Sequence, residues 1–169
     1  MGTYWTIQTY KAWENAKRIG YLTGDKGYIW PEFIDAYHWM MKQMKNKIPQ
    51  YSSEYPIWLW TERPDLRKSG HLEKGTRGVL LMVNIDSSRV LLSDFLTWHS
   101  VFYNSYIGVD EDDENNYSMN QSLIEESWQR IFDFDFLKSH PEWGEVRTQG
   151  VTGKVSLNEI TLIKDFIAR

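Results

Sequence analysis

Apolar positions recur along this chain with two periods, two and about three and a half, and the changes from one to the other mark out its elements. Tyr4-Trp5-Thr6-Ile7-Gln8 is aromatic and β-branched and predicts a first strand. Thr9 then stands where a helix cap is needed, Ala12, Trp13, Ala16 and Ile19 share one helical face, and Gly20 closes the turn. Tyr21 to Ile29 predicts a loop. Pro31 suits the first helical position, and Phe33, Tyr37, Met41, Met44 and Ile48 repeat at threes and fours up to Pro49, which predicts a long amphipathic helix.

Strand patterning returns at Ile57 to Thr61 and, in a longer and mostly apolar form, at Val79 to Ile85, with a polar, glycine-bearing loop from Arg63 to Gly78 between them. Arg89 to Leu92 predicts a further strand. Ser93 is the expected cap of a helix burying Phe95, Trp98, His99, Phe102 and Tyr106. Residues 110–117 predict an acidic solvated loop. Ser118 with Gln121, or Ser122 with Glu125, matches a capping box for a helix burying Ile124, Trp128 and Ile131. Glu145 to Val151 alternates, and Ile160 to Ile167 predicts a closing strand. Strands and helices mix without regular βαβ spacing, repeats or a linker. The expectation is one compact α+β domain over residues 1–169, a mixed sheet with about four helices.

Composition narrows the class. The 169 residues are 41% hydrophobic and 15% aromatic, which predicts a packed core and excludes disorder and coiled coil. No apolar run reaches the ~18 residues of a membrane span, and no signal-peptide pattern opens the sequence, so neither membrane insertion nor secretion is expected. Cysteine is absent, which removes disulfides, thiol catalysis and cysteine-bound zinc; a reducing, cytoplasmic setting is expected. The formal charge is −4, and Asp110, Glu111, Asp112, Asp113 and Glu114 form one acidic run. Setting these five aside leaves nineteen Lys and Arg against eighteen Asp and Glu, so little counterion-driven binding of duplex nucleic acid is expected.

Phosphate-cradling glycine loops, paired-histidine helices and Gly-x-Ser-x-Gly elbows are all missing from the sequence, and no metal site is expected from His38, His71, His99 and His140, which lie far apart. His99 reads as a hydrogen-bonded core histidine, and Asp94 meets a helix amino terminus. A strand from Ile57 would set Trp58, Trp60 and Glu62 on one side with Arg63 just beyond. Such a wall suits a ring carrying phosphates, or else a tryptophan-rich core with a surface ion pair. Glu145, Arg147 and Gln149 would line one face of a late strand, as a solvent edge or a cleft lining.

The opening Trp5-Thr6-Ile7-Gln8-Thr9-Tyr10 with Trp13 and Gly20, the segment Leu91-Leu92-Ser93-Asp94-Phe95 with Trp98, and the ending around Gln149 resemble an uncharacterised bacterial domain family of about this length. At the level of fold the order of elements also resembles the ADP-ribosyltransferase and RNA 2′-phosphotransferase superfamily. That second resemblance implies a nucleotide-binding domain that transfers ADP-ribose from NAD. Glu145 or Gln149 would then fall at the catalytic position, and Thr6, Gln8, Trp60, Arg63 and, at the periphery, Asp94 would bind NAD or a related nucleotide. Thr6 stands where the superfamily's nicotinamide-anchoring His or Arg is expected. If Gln149 holds the late position, the carboxylate that would stabilise an oxocarbenium-like transition state is missing, and binding without catalysis follows. The competing expectation is a non-catalytic protein-binding module or inhibitor, of phage or mobile-element type, acting through aromatic surfaces and the acidic run 110–114.

Overall fold

The structure is a computed structural model and describes residues 1–140 and 145–169. Its strands are β1 (Gly2–Thr9), β2 (Tyr21–Leu22), β3 (Ile57–Trp60), β4 (Arg77–Ile85), β5 (Leu91–Asp94), β6 (Thr148–Thr152), β7 (Val155–Ser156) and β8 (Ile160–Ile167). The helices are α1 (Tyr10–Ile19), α2 (Ile34–Lys47), α3 (Phe95–Phe102), α4 (Glu111–Asn116), α5 (Gln121–Ser127) and α6 (Phe134–Ser139). Six strands form one sheet in the order β5-β6-β3-β1-β4-β8, and β2 pairs with β7 in a second. The fold is α+β, with two more α-helices among the described residues than the periodicity suggests. No helix among the described residues is long and apolar enough to cross a membrane.

The chain divides into two compact units, each built from separated stretches of sequence. The first comprises Met1–Tyr28, Met41–Leu91 and Gly150–Arg169. Here β1 runs antiparallel to β4 with Tyr4 opposite Val83, Thr6 opposite Leu81 and Gln8 opposite Val79. Because side chains alternate across a strand, these six share one face. The buried cluster on that side joins Tyr4, Val79, Leu81, Val83 and Ile85 to Ile57 and Leu59 of β3 and to Trp13 and Ala16 of α1. Burying a large side chain contributes roughly 1.5–3 kcal/mol, so this face anchors the unit. As expected, Thr9 caps α1, its hydroxyl accepting from the Ala12 amide at 3.1 Å, and Gly20 closes it at φ 96°. In the second half of the unit β8 lies antiparallel to β4, with a register shift between Leu80 and Leu81.

The second unit comprises Ile29–Met40 and Leu92–Gln149. Its interior is aromatic. Phe33 and Phe102 lie 4.6 Å apart, Trp98 and Phe102 4.8 Å, and Trp39 meets Trp128 edge-on at 5.4 Å while stacking on Phe132 at 5.9 Å. Around these rings Val101, Ile107, Ile124, Ile131 and Leu137 are buried.

Several sequence expectations shift by a residue or an element. The buried apolar stripe of α2 is Ala36, Met40 and Met44, continued by Ile48 just past its end, while Phe33, Tyr37 and Met41 flank it half-buried. Ser93 belongs to β5 and is buried; Asp94 caps α3 in its place, because the strand runs two residues past Leu92, where the sequence pattern ends it. Asn120 caps α5 ahead of either serine. The acidic stretch coils into α4, since Asp110 accepts from the Asp113 amide and carboxylates in a first turn meet the positive end of the helix dipole. Two-residue β2 replaces part of the expected loop after Gly20.

Candidate functional site

Thr6, Gln8, Trp60 and Arg63 all lie in the first unit, on β1, β3 and the turn after β3. Thr6 is 1% exposed within the apolar face, and its hydroxyl oxygen accepts from Gln8 Nε2 at 2.9 Å. The strand alternation that puts Thr6 and Gln8 on that face puts Trp5 on the other. Trp60 is the register partner of Trp5, so Trp60 and, two residues before it, Trp58 belong to the opposite face. The sheet therefore separates Thr6 and Gln8 from Trp60. On the tryptophan side Trp5, Ile7, Trp58, Trp60 and Met82 are half-buried, and Arg63 is exposed beyond the strand.

Asp94 and Gln149 come together in the second unit. Asp94 is 2% exposed and its carboxylate accepts three hydrogen bonds: from the Thr97 amide at 2.9 Å and the Thr97 hydroxyl at 2.8 Å on Oδ2, and from the Arg147 amide at 2.9 Å on Oδ1. The Phe95 amide in turn donates to the Arg147 carbonyl at 2.8 Å. Gln149, 4% exposed, donates from Nε2 to Ser93 Oγ at 3.3 Å. These contacts bind the start of α3 to the chain entering β6, a structural role that satisfies a buried carboxylate. Glu145 and Arg147 are exposed, and β6 begins only at Thr148, so Glu145, Arg147 and Gln149 do not line one strand face. Arg147 lies 4.9 Å over the Phe95 ring, and half-buried His99 bonds through Nδ1 to the Phe95 carbonyl at 2.9 Å.

The acidic run is partly consumed within its own unit. Asp113 accepts from the Tyr106 hydroxyl at 2.9 Å and from the Val109 amide at 2.9 Å, and Glu114 accepts from the Gly108 amide at 3.3 Å. The Val109 amide, followed by the Tyr106 hydroxyl, holds the Asp113 carboxyl below the ordinary aspartate range; burial, and then Asp113 itself, push the Tyr106 hydroxyl up. Tyr117 stacks on Tyr106 at 4.3 Å, and Arg130 donates to the Ile107 carbonyl. Of the five, only Glu111 and Asp112 are exposed with carboxylates that accept no hydrogen bond from a described residue.

The larger electrostatic feature is not the run but the unit that contains it. Residues 29–40 and 92–149 hold three Lys and Arg (Arg130, Lys138, Arg147) against fourteen Asp and Glu, a net −11; the first unit holds sixteen against nine, a net +7. Near-neutrality of the whole chain outside the run is therefore a cancellation between two strongly charged bodies. The same acidic unit carries seven of the twelve exposed large apolar residues among those described, Trp30 at 68% and Tyr103 at 68% among them. Among the described residues no group of three or more His, Asp or Glu gathers as a metal site.

Comparison with known proteins places the chain in one family. A family model, described as Domain of unknown function (DUF3841), matches residues 3–123. No curated protein and no solved structure matches the chain.

Proposed function

We propose, for a chain that belongs to this domain family of unknown function, a non-catalytic protein-binding role in which the acid-rich unit receives a basic segment of another protein. The charge of that unit, three bases against fourteen acids, carries the reading. A single-sign surface raises the encounter rate with an oppositely charged partner and repels acidic ones, within a screening length of about 8 Å at physiological salt. Exposed Trp30 and Tyr103 supply the rigid aromatic anchors on which interface energy concentrates. Charge thus selects the partner and aromatic burial retains it.

A fluorescein-labelled peptide of alternating lysine and glycine, titrated with the full chain, tests this by anisotropy. Binding is expected at about 50 mM salt, weakening by roughly tenfold or more toward about 300 mM, with no binding of the matching glutamate peptide. Joint Glu111→Gln and Asp112→Asn substitution should weaken it further, since neither carboxylate accepts a hydrogen bond within the fold. Failure of the lysine peptide to bind at low salt overturns the proposal.

The half-buried tryptophan face of the first unit favours a second reading, a nucleotide such as NAD stacked on Trp58 or Trp60 with its phosphate on Arg63. It expects NAD to quench tryptophan fluorescence and Arg63→Ala to abolish the effect. An unchanged spectrum at millimolar NAD removes it.

A further inference from the structure

Beside α6, within the acidic unit, an open cavity of about 460 Å³ is lined by Gln129, Phe132, Asp133, Phe134 and Asp135. We infer that this cavity seats one arginine side chain of the basic partner. The inference rests on the protein-binding reading above and adds to it the residue type that is recognised and the place where it docks.

The lining selects for a cation with a flat face. Two carboxylates at a cavity rim repel an anion, and an uncharged apolar group would strip water from them without replacing its hydrogen bonds. Asp133 uses Oδ1 to accept from the Phe136 amide at 3.0 Å, capping α6, and thereby fixes its second oxygen in place. Asp135 is exposed and makes no hydrogen bond or ion pair with any described residue, so its carboxylate is available to an incoming donor. Two of the lining residues, Phe132 and Phe134, carry flat phenyl rings. Phe132 is held by its stacking on Trp39 at 5.9 Å and 12°, whereas Phe134 meets no other ring among the described residues. A guanidinium stacks on such a face, is weakly hydrated, and offers paired N–H donors to a carboxylate; an ammonium does only the last, and with one point of charge.

The unit's own arginines show the same preference. Arg130 lies 5.9 Å over the rings of both Tyr106 and Phe136, and Arg147 lies 4.9 Å over Phe95. Arg130 is already committed to the Ile107 carbonyl. Nothing in the unit's other two bases, Lys138 and Arg147, lines the cavity.

The test uses the full chain and three decapeptides of alternating lysine and glycine, with a central lysine, arginine or citrulline, read by anisotropy competition. The arginine peptide is expected to bind roughly five- to tenfold more tightly than the lysine peptide, and citrulline, which keeps the shape without the charge, to bind no better than lysine. Phe134→Ala and Asp135→Asn should each erase the arginine advantage while leaving the lysine peptide within about twofold of its wild-type affinity. Asp135 is exposed, so its variant retains the fold even if Phe134→Ala perturbs α6. Glu111→Gln with Asp112→Asn should weaken all three peptides and preserve the advantage. An arginine advantage that is absent from the wild type, or that survives both cavity substitutions, overturns this inference and leaves the basic-partner reading standing. If no peptide binds, both fall.

Discussion

Replacing Asp94 is the sharpest probe of how the acidic unit holds together. Its carboxylate is buried and accepts three hydrogen bonds, two from Thr97 and one from the Arg147 amide. Asp94→Ala removes a helix cap, costing about 1 kcal/mol. It also removes the acceptor of the buried Thr97 hydroxyl, at about 1–3 kcal/mol for a buried group, and that of the part-buried Arg147 amide, at less. These contributions are coupled, and a loss of about 3–5 kcal/mol is expected. Asp94→Asn separates charge from shape. Whichever way the amide turns, an NH₂ donor faces either the Arg147 amide or the Thr97 amide, so about 2–3 kcal/mol should be lost although the side chain is isosteric. Thr97→Val removes a single bond and should cost about 1 kcal/mol. Urea unfolding followed by tryptophan fluorescence, with buried Trp98 as a nearby reporter, measures all three. An Asp94→Asn variant within about 0.5 kcal/mol of wild type would refute the reasoning, because a carboxylate held by these donors has no neutral substitute.

Two further predictions concern the first unit. Arg89 pairs with Glu159 through both carboxylate oxygens, and that guanidinium, with the Ser156 amide adding to it, holds the Glu159 carboxyl below the ordinary glutamate range. A depressed carboxyl contributes stability that is full above its unfolded pKa and is lost as pH falls through the folded one. The melting-temperature gap between wild type and Glu159→Gln should therefore be present at neutral pH and close in strong acid; with side chains 34% and 26% exposed, it corresponds to no more than about 1 kcal/mol. Gly20 closes α1 at φ 96° with open space around its missing Cβ, so Gly20→Ala should cost about 1–2 kcal/mol from backbone strain alone, and Gly20→Asn less, in thermal melts.

Local chemistry made part of the fold legible in the sequence. Thr9, Gly20 and the apolar spacing between them define α1 without outside help, and Ile160–Ile167 is a strand by composition. What sequence could not place depends on partners far along the chain. Two-residue β2 exists only because β7, more than a hundred residues on, supplies its hydrogen bonds. Asp94 displaces Ser93 as the cap because β5 extends to meet the chain at Arg147. The superfamily resemblance puts Trp60 and Thr6 in one nucleotide site, but their faces follow from strand register, which opposes Trp5 to Trp60 and Thr6 to Leu81. The charge partition was countable in principle, since only Arg130, Lys138 and Arg147 interrupt the acids between Leu92 and Gln149. The sequence conceals it because residues 29–40 join that stretch only in three dimensions, and a whole-chain sum averages the two units.

Carbodiimide coupling, which joins a carboxylate to a lysine amine only where the two touch, tests most directly whether the acidic unit is the receiving surface. With the lysine–glycine peptide bound to the full chain and the cross-links mapped by mass spectrometry, the links should fall on Asp and Glu within residues 29–40 and 92–149, Glu111 and Asp112 foremost. Links spread without preference over the nine acidic residues of the first unit as well, or confined to them, would contradict the account.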